Sequence, residues 1–388
     1  MQGDPISFGK FVRLICTASS TVRRAKPLPY DRAEHNIKDL RVMRKITLSL
    51  FLIFTLVGVA HAQRYAKVSV GFYNLENLFD TEDGPNNDAE YLPQGANKWT
   101  PERYAQKLDN MASAISQIAA GKAPDILGVC EIENRQVLED LVVHPKLFRY
   151  GYQIAHFDSP DLRGIDCALL YRPSVLKVES QQAHPVRIPG EPHIKTRDVL
   201  VVDGLVGEER FSFLVAHWPS RAGGEQISLG RRMAAALLMR SLSDSLTTVD
   251  PERKLILMGD LNDDPTSPSL IEGLRTKNSP EGLVAGDLFN PMAKLYLDGY
   301  GTLAYRDVWN LFDNIITSAN LVGEDLSTFK LQQDNQTKAY GRIFNAAFLT
   351  QQSGQFKGYP LRTFSYGQFQ NGYSDHYPVL VYLVKEVH

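Results

Sequence analysis

Lys67-Val68-Ser69-Val70-Gly71-Phe72-Tyr73-Asn74-Leu75-Glu76-Asn77 alternates apolar Val68, Val70 and Phe72 with Ser69 and Gly71, then turns polar. The period of two is that of a half-buried β-strand, which delivers Asn74 and Glu76 to its end. Downstream, Asp80 to Lys98 is rich in Asp, Asn, Gly and Pro and reads as a long loop. Thr100-Pro101-Glu102 then supplies a helix N-cap, a proline at the first helical position and an acid in the first turn. Tyr104, Leu108, Met111, Ile115 and Ile118 follow at spacings of four and three, an apolar stripe on one helix face that stops near Gly121. Pro124-Asp125 breaks the chain before Ile126-Leu127-Gly128-Val129-Cys130, a buried strand ending in Glu131. A strand, loop, helix, strand unit of this kind marks an α/β domain.

An apolar run ending in a polar motif recurs along the chain. Beyond Tyr73-Asn74-Leu75-Glu76-Asn77, the motifs are Cys130-Glu131-Ile132-Glu133-Asn134, His217-Trp218-Pro219-Ser220, Gly259-Asp260-Leu261-Asn262-Asp263-Asp264 and Ser374-Asp375-His376-Tyr377-Pro378. Further strands are expected near Tyr171 and over 199 to 205, 211 to 216, 254 to 258, 310 to 318 and 378 to 384. A helix is expected over 226 to 246, with Ile227, Ala234, Leu238 and Leu242 on one side. So many strands mixed with helices over one long stretch predict two stacked β-sheets covered by helices. Strands of one α/β domain present their ends along one edge, so residues as distant as Asn74 and His376 can share a site.

The only long apolar run, Ile46 to Ala60, is short of the roughly 20 residues of a membrane span. It follows Met43-Arg44-Lys45 and ends in Ala60-His61-Ala62, the basic, apolar and small-residue order of a secretory signal peptide. The sequence therefore predicts export to the periplasm or beyond, with no stable membrane span. Residues 1–42 read as an upstream extension ahead of a true start at Met43, residues 43–62 as the signal peptide, and residues 63–388 as one catalytic domain. The first 62 residues hold ten Lys/Arg against four Asp/Glu, so their removal takes the formal charge from −2 to −8. A mildly acidic chain has no basic footprint for tight, sequence-independent duplex binding. Cys130 and Cys167 lie in apolar runs outside any zinc spacing and read as buried thiols, with a disulfide open to them in an oxidising compartment.

The motif residues carry a recognisable chemistry. Glu131 ends a buried strand, where a carboxylate is costly without a cation or donors. Alone it reads better as half of an ion pair; with Asn74 and Glu76 it makes an oxygen-rich set suited to one Mg²⁺, and the combination reverses the preference. Asp260 and Asn262, two apart, share a side if the strand continues. Asp260 can then orient or deprotonate a water while Asn262 donates to a phosphoryl oxygen. His217 and His376 sit beside strand ends and suit a pentacoordinate phosphorus, with Asp313 fixing one imidazole tautomer. Arg163 is a candidate phosphate clamp or, equally, a surface partner of Asp161 or Asp166. No Gly-x-Ser-x-Gly elbow, P-loop or His-Glu-x-x-His helix is present.

The ordered set Asn74/Glu76, Glu131, His217, Asp260/Asn262, Asp313 and Asp375/His376 resembles the endonuclease/exonuclease/phosphatase superfamily over essentially Val68 to Val384. Tyr-Asn-Leu-Glu-Asn-Leu-Phe-Asp, beginning at Tyr73, is similar to its exported bacterial branch. The resemblance implies a four-layer α/β sandwich, two packed mixed β-sheets flanked by helices, and an Mg²⁺- or Mn²⁺-dependent phosphoesterase. By motif matching it implies Glu131 as principal metal ligand, Asn74 and Glu76 beside it, and Asp375 touching the metal or its waters. It further implies Asp260 as the residue orienting the water, Asn262 on the phosphate, His376 held by Asp313 on the phosphoryl oxygens, and His217 as a second histidine. A phosphoester substrate follows, with nucleic acid among the choices; phosphomonoesters, phospholipid headgroups and a non-catalytic binding role are the alternatives. The loops from Thr81 to Lys98, Ala183 to Lys195 and Pro265 to Met292 lack the basic and aromatic interleaving that favours single-stranded nucleic acid.

Overall fold

The computed structural model describes residues 64–387 together with Met43 and Arg44. The expected extension 1–42 and signal peptide 43–62 with its cleavage site lie outside the described residues, those two apart. Gln63–His388 forms one compact unit.

Ten strands build the frame: β1 Arg64–Leu78, β2 Ile126–Ile132, β3 Gln153–His156, β4 Asp166–Tyr171, β5 Leu176–His184, β6 Val199–Val206, β7 Glu209–His217, β8 Lys254–Asp260, β9 Asp313–Ser318 and β10 Val379–Val387. One seven-stranded sheet has the order β10-β1-β2-β4-β3, with Lys330–Leu331 and Gly341–Ile343 both against β10. The other runs β5-β6-β7-β8-β9, then Leu288–Phe289 and Thr276–Lys277. Among mostly antiparallel neighbours the first sheet holds one parallel pair, β1 with β2, and the second holds β7 with β8 and the short Leu288–Phe289 with Thr276–Lys277. Helix α1, Pro101–Ile115, lies in the chain between the first pair, and α3, Glu225–Val249, between the second. Parallel strands need a crossover of this length.

Side-chain alternation makes the layers. Val70 and Phe72 of β1 pack with Phe213, Val215 and Met258 of the other sheet, forming the inter-sheet core. Tyr73 and Leu75, with opposite parity, pack with Leu108, Met111 and Ile115 of α1 and Leu138 of α2, Arg135–Val143. Leu214, Leu255 and Leu257 pack with Ala235, Ala236 and Met239 of α3. Helix, sheet, sheet, helix is the expected four-layer sandwich. Gly128 sits where the sheets meet: a Cβ there would fall 2.4 Å from the Met258 sulfur.

Three expectations are corrected. Helix α3 buries Ser228, Arg232, Ala235, Ala236, Met239 and Ser243; the expected Ala234, Leu238 and Leu242 flank this face, partly buried against the core, while Ile227 is 74% exposed. The buried stripe is small and polar because Arg232, fully buried, pairs with buried Asp263 at 2.7 Å. Removing one member of such a pair leaves a stranded charge. Arg232→Leu should lower stability by about 3 kcal/mol, read as a shifted urea midpoint; an unchanged midpoint would refute this account of the helix face.

The run from 310 to 318 is not one strand. Val308–Asn310 pairs with Leu303–Tyr305, and β9 starts at Asp313. Between them the Phe312 carbonyl accepts from the Leu261 N–H at 2.8 Å, and the Leu311 N–H donates to Asp264 at 2.8 Å. Third, strand geometry ends at Asp260: Asn262 has φ 52°, so the two side chains do not share a side by strand parity.

Candidate active site

Gly259 brings β8 close to β7, since a Cβ there would fall 2.1 Å from the Ala216 carbonyl oxygen. In this register His217 lies opposite Asp260, and Asp260 in turn opposite Asp313 across the antiparallel pair. In the other sheet Asn74 pairs with Cys130, one residue before Glu131. His376 precedes β10. Strand ends from both sheets thus open onto one edge.

The side chains meet there. Asp260, 2% exposed, accepts from Asn74 Nδ2 at 3.1 Å, and its Oδ2 lies 3.5 Å from His217 Nε2 and 3.8 Å from His376 Nε2. His376 Nδ1 is 2.7 Å from Asp313 Oδ2, which also accepts from the Thr302 hydroxyl at 2.5 Å. Glu131 Oε1 is 3.9 Å from His217 Nε2, and its Oε2 accepts from the Asn77 N–H at 3.1 Å.

Electrostatics separate the two histidines. Burial, with Arg197, Arg163 and His376 nearby, holds His217 well below the usual imidazole range, hence neutral. Burial also opposes charge on His376, but the carboxylates of Asp313 and Asp260 and the hydrogen bond to Asp313 outweigh it and hold it well above that range. Asp260 is pushed up to about 7 by burial and by Asp313 and Glu131. Glu76 is likewise raised to about 7, by burial and then by Asp375.

Glu76, Asn77, Glu131 and Asn262 all have φ between 48° and 57°. Such left-handed backbone is uncommon outside glycine and clusters at functional sites. At Glu76 and Asn77 it forms the irregularity through which β1 loses register with β2 between Asn74 and Leu78.

Other expected residues are placed differently from one another. Glu76 accepts from the Thr363 N–H at 2.6 Å and from Arg362 Nε at 3.2 Å, and Arg362 also donates to Asp375 at 2.9 Å. Glu76 and Asp375 therefore share a cation. Asn262 donates to the Trp218 carbonyl at 2.9 Å. The guanidinium of Arg163 does not pair with Asp161 or Asp166; it donates to Asn77 at 2.5 Å and stands 3.6 Å from Glu131. Asp161 is held instead by Arg197, which also donates to the carbonyls of His217 and Trp218.

Sequence reasoning missed Arg362, Lys107 and Arg197. Lys107, buried on α1, donates to the Thr363 hydroxyl and the Tyr373 carbonyl. It is lowered to about 8 by burial, against the pull of Glu76. None of the three sits in a strand-end motif, and the chain carries 42 Lys and Arg, so no local signal sets them apart.

A hard divalent cation fits this donor set. Carboxylates crowd enough to push one another's titration upward, a field that such a cation relieves, and Glu131 keeps an oxygen without a protein hydrogen bond. Mg²⁺ needs only one or two protein carboxylates because it retains its waters. A tighter His/Asp/Asp group, with ligand atoms within 4.8 Å of one another, is formed elsewhere by His156, Asp158 and Asp166. There Asp166 accepts from His156, the Ser159 N–H and the Ser159 hydroxyl, pinning the loop that carries Arg163. Cys130 and Cys167 are cross-strand neighbours, both free and buried.

The model described as the Endonuclease/Exonuclease/phosphatase family matches residues 69–385. No curated protein matches. Among solved structures, an endonuclease/exonuclease/phosphatase family protein from Bacteroides thetaiotaomicron is 17% identical with TM-score 0.50, covering 84% of this chain and 98% of its own. A mannosyl-6-phosphatase from the same organism is 17% identical with TM-score 0.50, covering 81% and 99%. The human Nocturnin catalytic domain is 17% identical with TM-score 0.47, covering 84% and 98%. At these identities the likeness is one of fold. Among the described residues, no helix is long and apolar enough to cross a membrane.

Proposed function

This chain belongs to the endonuclease/exonuclease/phosphatase family, and from that premise we propose that it is an exported, divalent-metal-dependent phosphodiesterase that uses an oriented water as nucleophile. The observation that carries the reading is the Asp260 carboxylate, set between the Nε2 atoms of two imidazoles, one held neutral and one held charged. Export rests on the sequence of residues 43–62.

Asp260, fixed by Asn74 and the Asn262 N–H, aligns the attacking water and takes its proton. His376 has Nδ1 committed to Asp313, leaving Nε2–H to donate to a phosphoryl oxygen as charge builds there. His217 presents its Nε2 to the same space and stays uncharged. Asn262 turns its amide on the Trp218 carbonyl and keeps a second N–H for the phosphate. Arg163, half-exposed beside Glu131, clamps the diester from the open side. Glu131 would hold Mg²⁺ or Mn²⁺, with Asn74 and Glu76 beside it and Asp375 on its waters; the bound ion supplies Lewis-acid stabilisation of phosphoryl charge. For Glu76 to ligate, Arg362 must release one of its oxygens.

The test is hydrolysis of bis-p-nitrophenyl phosphate, p-nitrophenyl phosphate and sphingomyelin with Mg²⁺, Mn²⁺ or EDTA. Diester cleavage that EDTA abolishes and Mg²⁺ restores is expected. Cleavage of the monoester alone, or turnover indifferent to EDTA, would overturn the reading; cleavage of sphingomyelin alone would keep a phosphodiesterase and move its substrate to a phospholipid headgroup.

A further inference from the structure

Two small hairpins that belong to neither large sheet flank the site. One pairs Leu303–Tyr305 with Val308–Asn310 and turns at Arg306 and Asp307, both left-handed at φ 49° and 64°. The other pairs Phe364–Ser365 with Gln368–Phe369 and turns at Tyr366 and Gly367, at φ 50° and 73°. Two left-handed residues are what the type I′ form of a two-residue hairpin requires. Between the hairpins lies a cleft of about 690 Å³ whose lining includes Tyr305, Arg306, Phe356, Tyr359, Arg362 and Tyr366.

Arg362 connects this cleft to the catalytic edge, because it also holds Glu76 and Asp375. A chain of rings makes a second connection. Tyr377, next to His376, stacks on Trp309 at 6.1 Å; Trp309 is 6.0 Å from Tyr359, Tyr359 is 5.6 Å from Phe356, and Phe356 is 5.8 Å from Tyr366. The series starts in the core and ends on a ring that is 81% exposed, with Tyr305 64% exposed on the opposite hairpin. Neither outer ring belongs to a core cluster.

We propose that this cleft is a stacking subsite for bases beside the scissile phosphate of a single-stranded nucleic acid, with Tyr305 and Tyr366 offering ring faces and Arg306 and Arg362 meeting backbone phosphates. The inference rests on the phosphodiesterase reading and gives its substrate class. Every base has a face to stack, so aromatic platforms with cations bind single strands with little regard to sequence. The lining contains no Leu, Ile, Val or Met, which an acyl chain would need, and carries Gln351, Gln355 and Gln370 instead. These amides and rings would also suit a saccharide, but two arginines against the single carboxylate of Asp307, which accepts from the Tyr359 hydroxyl, leave the lining positive and favour a polyanion. The interleaving of basic and aromatic residues that the loops lack in sequence is assembled here from segments about fifty residues apart.

The experiment measures fluorescence anisotropy of a labelled oligothymidylate in EDTA, with an abasic oligomer of equal length and charge as competitor. The thymidylate should bind at least about tenfold more tightly than the abasic strand. Tyr366→Ala and Tyr305→Ala should each weaken it roughly 5- to 100-fold while bis-p-nitrophenyl phosphate is cleaved at the parent rate. Equal binding of the two strands, variants that bind like the parent, or displacement by a mannose oligosaccharide would overturn the subsite with the phosphodiesterase standing. A parent protein that leaves bis-p-nitrophenyl phosphate intact would overturn the reading beneath it.

Discussion

Glu131→Gln should reduce turnover of a phosphodiester by at least about 10²- to 10³-fold, the cost of losing one preorganised stabiliser of developing charge, with the fold intact. The substitution keeps volume and leaves an acceptor for the Asn77 N–H, so the strand end has no packing reason to move. What disappears is the negative charge, and with it the carboxylate proposed to hold a divalent cation and the ion-pair partner of Arg163. Turnover measured across an Mg²⁺ titration, beside a urea midpoint, separates the two effects. Undiminished turnover at ordinary Mg²⁺ would remove Glu131 from the centre of the mechanism.

The second large effect is expected at His376. Its Nε2 lies 3.8 Å from Asp260, the carboxylate proposed to orient the water, so His376→Ala should cost about 10²- to 10⁴-fold in turnover. Asp313→Asn should cost less. An amide still bonds Nδ1, but the charge that sustains the imidazolium is gone and a neutral ring donates more weakly. Because the two groups act as one unit, the double variant should be no slower than His376→Ala alone. Losses that multiply instead would mean that Asp313 works through another partner, the Thr302 hydroxyl being the one at hand.

Period-two alternation around Val68 to Phe72 and the stripe from Tyr104 to Ile118 were enough to predict strand, helix, strand, because both patterns are local. Ile118 is buried although the helix itself ends at Ile115, so the stripe reported packing rather than the helix boundary. Helix α3 was half legible: Ala234, Leu238 and Leu242 do pack against the core, but Arg232 on its inward face is held by an ion pair to Asp263, a partner 31 positions away, and hydrophobicity is blind to that. At the site, the strand-end motifs named the residues grouped around Asp260. Arg362 and Lys107 were hidden because their role comes from lying beside Glu76, and that proximity is made only by folding. The same holds for the cleft, whose two walls come from hairpins too short to show a strand signal.

The pairing of β1 with β10 runs from Arg64 opposite Val387 to Phe72 opposite Val379. The first strand of the domain is thus zipped along nine residues to the last, and the imidazole at position 376 arrives with it. On a ribosome adding roughly 5 to 20 residues per second, no growing chain holds this site until His376 and β10 emerge. Such end-to-end pairing closes slowly, because the whole intervening length must be gathered first. A polypeptide without β10 therefore lacks the imidazole of His376 beside Asp260, and the activity proposed for this edge would wait for that last strand to be in place.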